Sequence, residues 1–250
     1  ASLKDSSGNN RNQLTGTAGP AWSLPPNSTA SLIGNGVLFN ALDEWVSFGN
    51  VLGTTNILTV STWWKPTSLQ AQNPLVSKST GTAPPVWTLG GGTAAGNFFS
   101  RVGQSATTTA VSMGTAIVAA NWYRLTMVYD GTQAVVNDRL KLYSNGAPVT
   151  VTHSGTHPTS IAVGGNLRFG HYAWAAGYGA NGTIDEVEIS TTSRSAAWIR
   201  AEYETQKSNS QTDGTPFLTV GAQEVVSVGV ESFASFYDTG EVGPAATYTL

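Results

Sequence analysis

The chain has 250 residues, with 12 Lys and Arg against 15 Asp and Glu, for a formal net charge of −3. Only 11% of residues are charged and no basic cluster occurs, which excludes the phosphate-neutralising stripe that a nucleic-acid partner requires. Cysteine is absent, which excludes disulfides and thiolate metal sites, and the apolar runs are too short for a transmembrane helix.

Short alternating segments separated by turn residues run along the chain, the pattern of an all-β domain. They fall at residues 57–64, 123–129, 139–143, 166–170 and 182–189. Leu125, Met127 and Tyr129 share one face, and Leu140 and Leu142 point away from Lys141. A period of two sets these apolar groups against a second sheet. The adjacent Trp63 and Trp64 must therefore face opposite ways, one of them exposed or lying under another layer. Asp130-Gly131-Thr132 marks a turn. Asn145-Gly146 marks a two-residue hairpin, because both central positions of such a turn need positive φ. Residues 195–206 read as one helix, capped by Ser193 or Ser195, with Trp198, Ile199, Ala201 and Tyr203 as its packing face. A polar loop at 208–216 precedes further alternation at 217–220, 225–230 and 246–250.

Several pieces in this order carry a resemblance. Asp5-Ser6-Ser7-Gly8-Asn9-Asn10-Arg11-Asn12 opens the chain, and Gly36-Val37-Leu38-Phe39 and Trp45-Val46-Ser47-Phe48-Gly49 follow. Then come Leu58-Thr59-Val60-Ser61-Thr62-Trp63-Trp64-Lys65-Pro66, Leu75-Val76-Ser77-Lys78, Asn121-Trp122-Tyr123-Arg124-Leu125 and Leu142-Tyr143-Ser144-Asn145-Gly146. Gly182-Thr183-Ile184-Asp185-Glu186-Val187-Glu188-Ile189 closes the series, with Arg194 and Trp198 after it. Over roughly residues 5–206 the chain resembles the laminin-G-like, concanavalin A-like jelly-roll domains of bacterial and archaeal secreted surface proteins. The resemblance implies a two-sheet antiparallel jelly-roll sandwich with one short C-terminal helix. It implies a domain over residues 1–224 and a β tail over 225–250. Members usually carry an aromatic strand before the opening turn, and here only Ala1–Lys4 precede it. The tail is one candidate for that slot, folding back in cis or exchanged with a neighbouring copy. A strand from another polypeptide, or Ala1–Lys4 alone as a short edge, are the others.

Four chemistries deserve weighing. Asp5, Asn9, Asn10 and Asn12 lie in one turn, and hard cations want such oxygen donors. The resemblance implies that Asp5 and Asp185 meet at one calcium ion, while the plainer reading is a set of Asx turns. Glucanases share the fold and need two carboxyls about 5 Å apart. Strict alternation puts Glu186 and Glu188 on one face, but the third carboxylate of that pattern is absent. Nucleophilic catalysis has no Gly-x-Ser-x-Gly elbow, and His153 and His157 read as solvent-facing loop residues. Finally, His171, Tyr172, Trp174 and Tyr178 stand on a Gly/Ala-rich loop at 170–181. Sugar rings stack on such aromatics, although the same side chains could simply cover an open end of the sandwich.

The expectation is thus a non-enzymatic recognition or adhesion module, extracellular or at a cell surface, with a glycan or a surface protein as partner and calcium as its cofactor. Its small neutral polar surface suits that setting. The alternative is a structural subunit of an extracellular filament or layer that self-associates through residues 225–250, and a glucanase stands behind both.

Overall fold

The computed structural model describes residues 27–40, 44–80, 85–91, 96–103, 109–112, 115–161, 164–171 and 177–209. The opening turn with Asp5, the strands expected at 217–220, 225–230 and 246–250, and the role given to the tail lie outside them. The strands in chain order are β1 (Asn27–Ala30), β2 (Asn35–Phe39), β3 (Val46–Ser47), β4 (Ile57–Pro66), β5 (Asn73–Ser79), β6 (Trp87–Gly91) and β7 (Phe99–Val102). They continue with β8 (Thr109–Ser112), β9 (Tyr123–Asp130), β10 (Leu140–Ser144), β11 (Ala147–Pro148), β12 (Val151–Ser154), β13 (Asn166–Phe169) and β14 (Gly182–Ser190). One helix, α1 (Ala196–Asn209), follows β14. The strands form a first sheet, ordered β1-β2-β14-β4-β9-β10-β11, and a second, ordered β12-β8-β7-β6-β5-β13-β3. Every pairing within them is antiparallel. This is the two-sheet packing expected from the alternation and the antiparallel jelly-roll sandwich that the resemblance implies.

The alternating apolar sets meet between the sheets. Leu58, Val60, Trp64, Leu125, Met127, Tyr129, Leu140 and Leu142 of the first sheet are buried in one core with Val76, Trp87, Leu89 and Leu167 of the second. Each such side chain contributes about 1.5–3 kcal/mol by leaving water. Ser100 Oγ on β7 lies 2.8 Å from Met127 Sδ on β9, which fixes the inner faces of both strands. The Asn145-Gly146 turn forms as its sequence requires, with φ of 50° and 76° joining the paired Ser144 and Ala147.

Trp64 points into the core, so Trp63 points out of the first sheet, where it lies under α1. Its ring sits 5.5 Å from that of Tyr203, and its Nε1 donates to Gln206 Oε1 at 2.6 Å. Ser195 caps the helix by accepting from the Trp198 N–H at 3.2 Å. The packing face differs from the expected one. Ile199 is buried with Val128 and Tyr143, and Glu202, Tyr203 and Gln206 continue that stripe. Ala201 is exposed, and Trp198 is exposed beneath the Arg194 guanidinium, 4.2 Å from its ring.

The centre of this interface is Arg124, 1% exposed. Its Nη1 donates to the Glu186 carbonyl at 2.7 Å, and its Nη2 meets Glu202 Oε1 at 2.8 Å and Glu188 Oε1 at 3.1 Å. Gln206 Nε2 donates to the same Glu188 oxygen at 2.7 Å. Two carboxyl groups thus share one guanidinium. Glu188 is held below the ordinary carboxylate range by its hydrogen bonds and by Arg124, which together outweigh its burial. Burial, and then the hydrogen bond with Glu188, push Glu202 up to about 8.

Two predictions follow from these contacts. Between the ordinary carboxylate range and about pH 8 the folded chain keeps a proton on Glu202 that the unfolded chain has released. Stability from this group is therefore lost as pH rises through that window. Melting curves from about pH 5.5 to about pH 9 should show Tm falling, and Glu202→Gln should flatten the slope. In the second sheet, Gly170 has φ of 90°, and an added Cβ would lie 2.4 Å from the Phe39 ring. Gly170→Ala should cost about 1–3 kcal/mol in denaturant unfolding.

Candidate functional site

With α1 seated on the outer face of the first sheet, the candidate site lies on the outer face of the second. The strand registers define it. Leu167 lies in the core, so Arg168 beside it points outward; Ser100 points inward, so Phe99 and Arg101 point outward. Register pairs Ser47 with Arg168, Arg168 with Ser77, Ser77 with Thr88, and Thr88 with Arg101. These residues form one transverse row across β3, β13, β5, β6 and β7. At the usual strand spacing the two arginine Cα atoms stand about 14 Å apart.

Both ends of the row pair a guanidinium with an aromatic ring. Arg168 Cζ lies 5.1 Å from the Trp45 ring centroid, and Trp45 lies 5.3 Å from the His171 ring. Arg101 Cζ lies 5.5 Å from the Phe99 ring. The middle of the row is small. Ser77 Oγ donates to the His171 carbonyl at 2.8 Å, and Thr88 Oγ1 to the Val76 carbonyl at 3.1 Å. Both hydroxyls are therefore spent on backbone. Gly90 lets the paired Phe99 ring lie across β6, since a Cβ there would meet the ring at 2.4 Å. Arg168 and Trp45 are half-buried.

The loop at 170–181 begins beside this patch. Its base is a short ladder: His171 bridges Gly179, and Ala180 N donates to the Gly170 carbonyl at 2.8 Å. Asn73 Nδ2 donates to the Gly179 carbonyl at 2.8 Å, and Trp64 Nε1 to the Ala180 carbonyl at 3.1 Å. Of the four aromatic and imidazole residues expected to bind, His171 is buried against Trp45 and Tyr178 is half-buried. Tyr172 and Trp174 lie outside the described residues. Sequence reading missed Trp45, Arg168, Phe99 and Arg101. Their signal is the register that joins distant strands into one row, which no local pattern contains.

The other expected sites are also placed. Asp5, Asn9, Asn10 and Asn12 lie outside the described residues. Asp185 is 5% exposed and faces donors: Oδ2 accepts from Ser31 Oγ at 2.8 Å and Ile33 N at 3.0 Å, and Oδ1 from Glu186 N at 2.9 Å. A calcium ion would have to displace those groups, so this carboxylate does not fit a cation cradle. Among the described residues no group of three or more His, Cys, Asp or Glu side chains could hold a metal ion.

Glu186 and Glu188 do not follow the simple alternation. A β-bulge between Asp185 and Glu188 puts Glu186 at φ of 44°. Asp185 pairs with Trp63 and Glu188 with Ser61, so it is these two that share the α1 side of the sheet. His157 also departs from expectation: it is fully buried, its Nε2 is 2.9 Å from His153 Nδ1, and its carbonyl accepts from Arg139 Nη1 at 2.8 Å. Burial, with His153 and Arg139 nearby, pushes it down to about 4, so it packs as a neutral ring.

A comparison with curated proteins finds no match. Solved structures share the fold at low identity. The native heptameric SAP-like pentraxin from Limulus polyphemus is 16% identical, with a TM-score of 0.52 over 73% of this chain and 78% of that one. The CBM40 domain of the Ruminococcus gnavus IT-sialidase, solved bound to α2,3-sialyllactose, is 17% identical, with a TM-score of 0.51 over 67% and 96%. The binding domain of Paraclostridial Mosquitocidal Protein 1 is 13% identical, with a TM-score of 0.54 over 80% and 49%. Residues 40–200 match a protein family outright, and the chain belongs to the concanavalin A-like lectin/glucanases superfamily.

Proposed function

We propose that this chain is a non-catalytic glycan-recognition module of a secreted or cell-surface protein, and that it binds on the outer face of the second sheet. The observation that carries this reading is the half-buried pair Trp45 and Arg168 at one end of the row, with His171 beside Trp45. A sugar needs an aromatic face for its C–H groups and donors at the edge for its hydroxyls, and Trp45 and Arg168 supply one of each. His171, near the start of the loop at 170–181, lies beside Trp45, and Tyr172, Trp174 and Tyr178 of that loop are the further candidates. The glycan ligand of the CBM40 relative accords with this reading. Among the described residues no helix is long and apolar enough to cross a membrane.

A catalytic reading has less support. Glu188 is bonded to Arg124 and Gln206 under α1, and Asp185 is spent on Ser31 and Ile33. Neither is placed to flank a glycosidic bond.

Glycan-array binding followed by calorimetry tests the proposal. A glycan should bind the intact chain, and Trp45→Ala should weaken it at least about tenfold, because losing one stacked ring costs about 1.4 kcal/mol or more. Absence of binding to every glycan class at millimolar concentration would sink the reading. Calcium, in this reading, is held by the opening turn through Asp5, Asn9, Asn10 and Asn12, without Asp185. A ligand that binds only the folded state raises its stability, so Tm should rise in calcium over chelator; equal values remove the metal from the proposal.

A further inference from the structure

The described arginines differ in their partners. Arg124 bonds two carboxyl groups and a carbonyl through its terminal nitrogens. Arg139 donates to the Gln133 and His157 carbonyls, and Arg200 is paired with Glu204. Arg168 has no such partner: its Nε is buried without a hydrogen bond, as is that of Arg124, but among the described residues no oxygen is bonded to the rest of its guanidinium. Its guanidinium is half-buried and lies against the Trp45 ring, and among the described residues no carboxylate pairs with it. Taking a guanidinium partly out of water without a counter-charge is costly. Stacking on tryptophan offsets part of that cost, about 0.5–2 kcal/mol, and leaves the planar fork of donors unused. Such a fork fits an oxyanion in two parallel hydrogen bonds.

The position of the group matters as much as its charge. Arg168 stands in the same transverse row as Arg101. No Asp or Glu occurs on β3, β13, β5, β6 or β7, the strands that build this row. These strands therefore contribute basic side chains and no carboxylate, although the chain carries a formal net charge of −3. The middle of the row, Ser77 and Thr88, is fully buried, and Arg168 with Trp45 is the half-buried end that a ligand can reach.

We propose that the ligand of this face is an anionic saccharide, with its acid group on the Arg168 guanidinium and its sugar ring against Trp45. This inference rests on the glycan-recognition reading above and narrows it to a ligand class. The acid group comes from a carboxylated sugar or from a sulfated one, and the experiment separates the two.

Binding would be measured by calorimetry for matched pairs: sialyllactose against lactose, a galacturonic acid oligomer against its methyl ester, and a heparin oligosaccharide against its desulfated form. At least one acidic partner should bind ten times more tightly than its neutral match, and the pair that shows it identifies the acid. Its affinity should fall as salt is raised. Arg168→Gln should bring the acidic and neutral partners to equal affinity, and Arg168→Lys should recover only part of the difference, because it keeps the charge and loses the fork. Trp45→Ala should weaken both partners. Arg194→Gln, which removes a stacked guanidinium beside α1, should change nothing. Unchanged melting of Arg168→Gln would confirm that the variant is folded; if it melts early, the Arg168→Lys comparison decides. An acid preference that persists in Arg168→Gln overturns the inference. Neutral glycans binding as tightly as acidic ones overturns it too while leaving glycan recognition in place, and binding to no glycan at all overturns both.

Discussion

The buried guanidinium of Arg124 organises one whole side of this molecule. A charge with 1% exposure must be paired where it stands, and its partners come from two elements: Glu188 and the Glu186 carbonyl from β14, and Glu202 from α1. The helix is weakly amphipathic by pattern, and it docks through this polar centre together with Trp63, Tyr203 and Ile199. Seated there, it occupies the outer face of the first sheet. On the second sheet the outward Ser77 and Thr88 are buried as well, and it is Arg168, Arg101 and the neighbouring Trp45 that keep partial exposure.

Much of the fold was legible in the sequence because a strand's period of two is a local property. Leu125, Met127 and Tyr129 alternate, and all three are fully buried. Asn145-Gly146 forms its turn because φ is set by the two residues themselves. The opposed directions of Trp63 and Trp64, and the layer over one of them, were also readable. The helix face was harder. Trp198 reads as a core residue by hydropathy, yet it lies under Arg194 at the surface, because the stripe that meets the sheet runs through Ile199, Glu202, Tyr203 and Gln206. A glutamate at the centre of a packing face is invisible until its buried arginine is known.

The candidate site was the least legible part, for a reason that applies to sheets in general. Trp45, Arg168 and Arg101 are far apart in the chain and share no local motif. They meet through successive registers, Ser47 to Arg168 to Ser77 to Thr88 to Arg101. A slip of one residue in any of these pairings would send the side chains to the opposite face. The aromatic loop at 170–181 was visible in advance because it is contiguous. His171 turned out to support the site: its carbonyl takes the Ser77 hydroxyl and its ring backs Trp45.

The same dependence on register decides how the carboxylates of β14 should be read. Alternation alone pairs Glu186 with Glu188, a spacing compatible with glycoside hydrolysis. One inserted residue changes the outcome. With Glu186 at φ of 44° in the bulge, the ladder resumes at Glu188 opposite Ser61, and the side chains directed toward α1 become Asp185 and Glu188. Each is then consumed by structure: Asp185 ties β14 to the turn between β1 and β2, and Glu188 ties it to Arg124 and Gln206. The bulge thus converts an acidic motif shared with hydrolases into two structural anchors. It also turns the Glu186 carbonyl toward Arg124, so the departure from regular strand geometry supplies one of the contacts by which α1 is held.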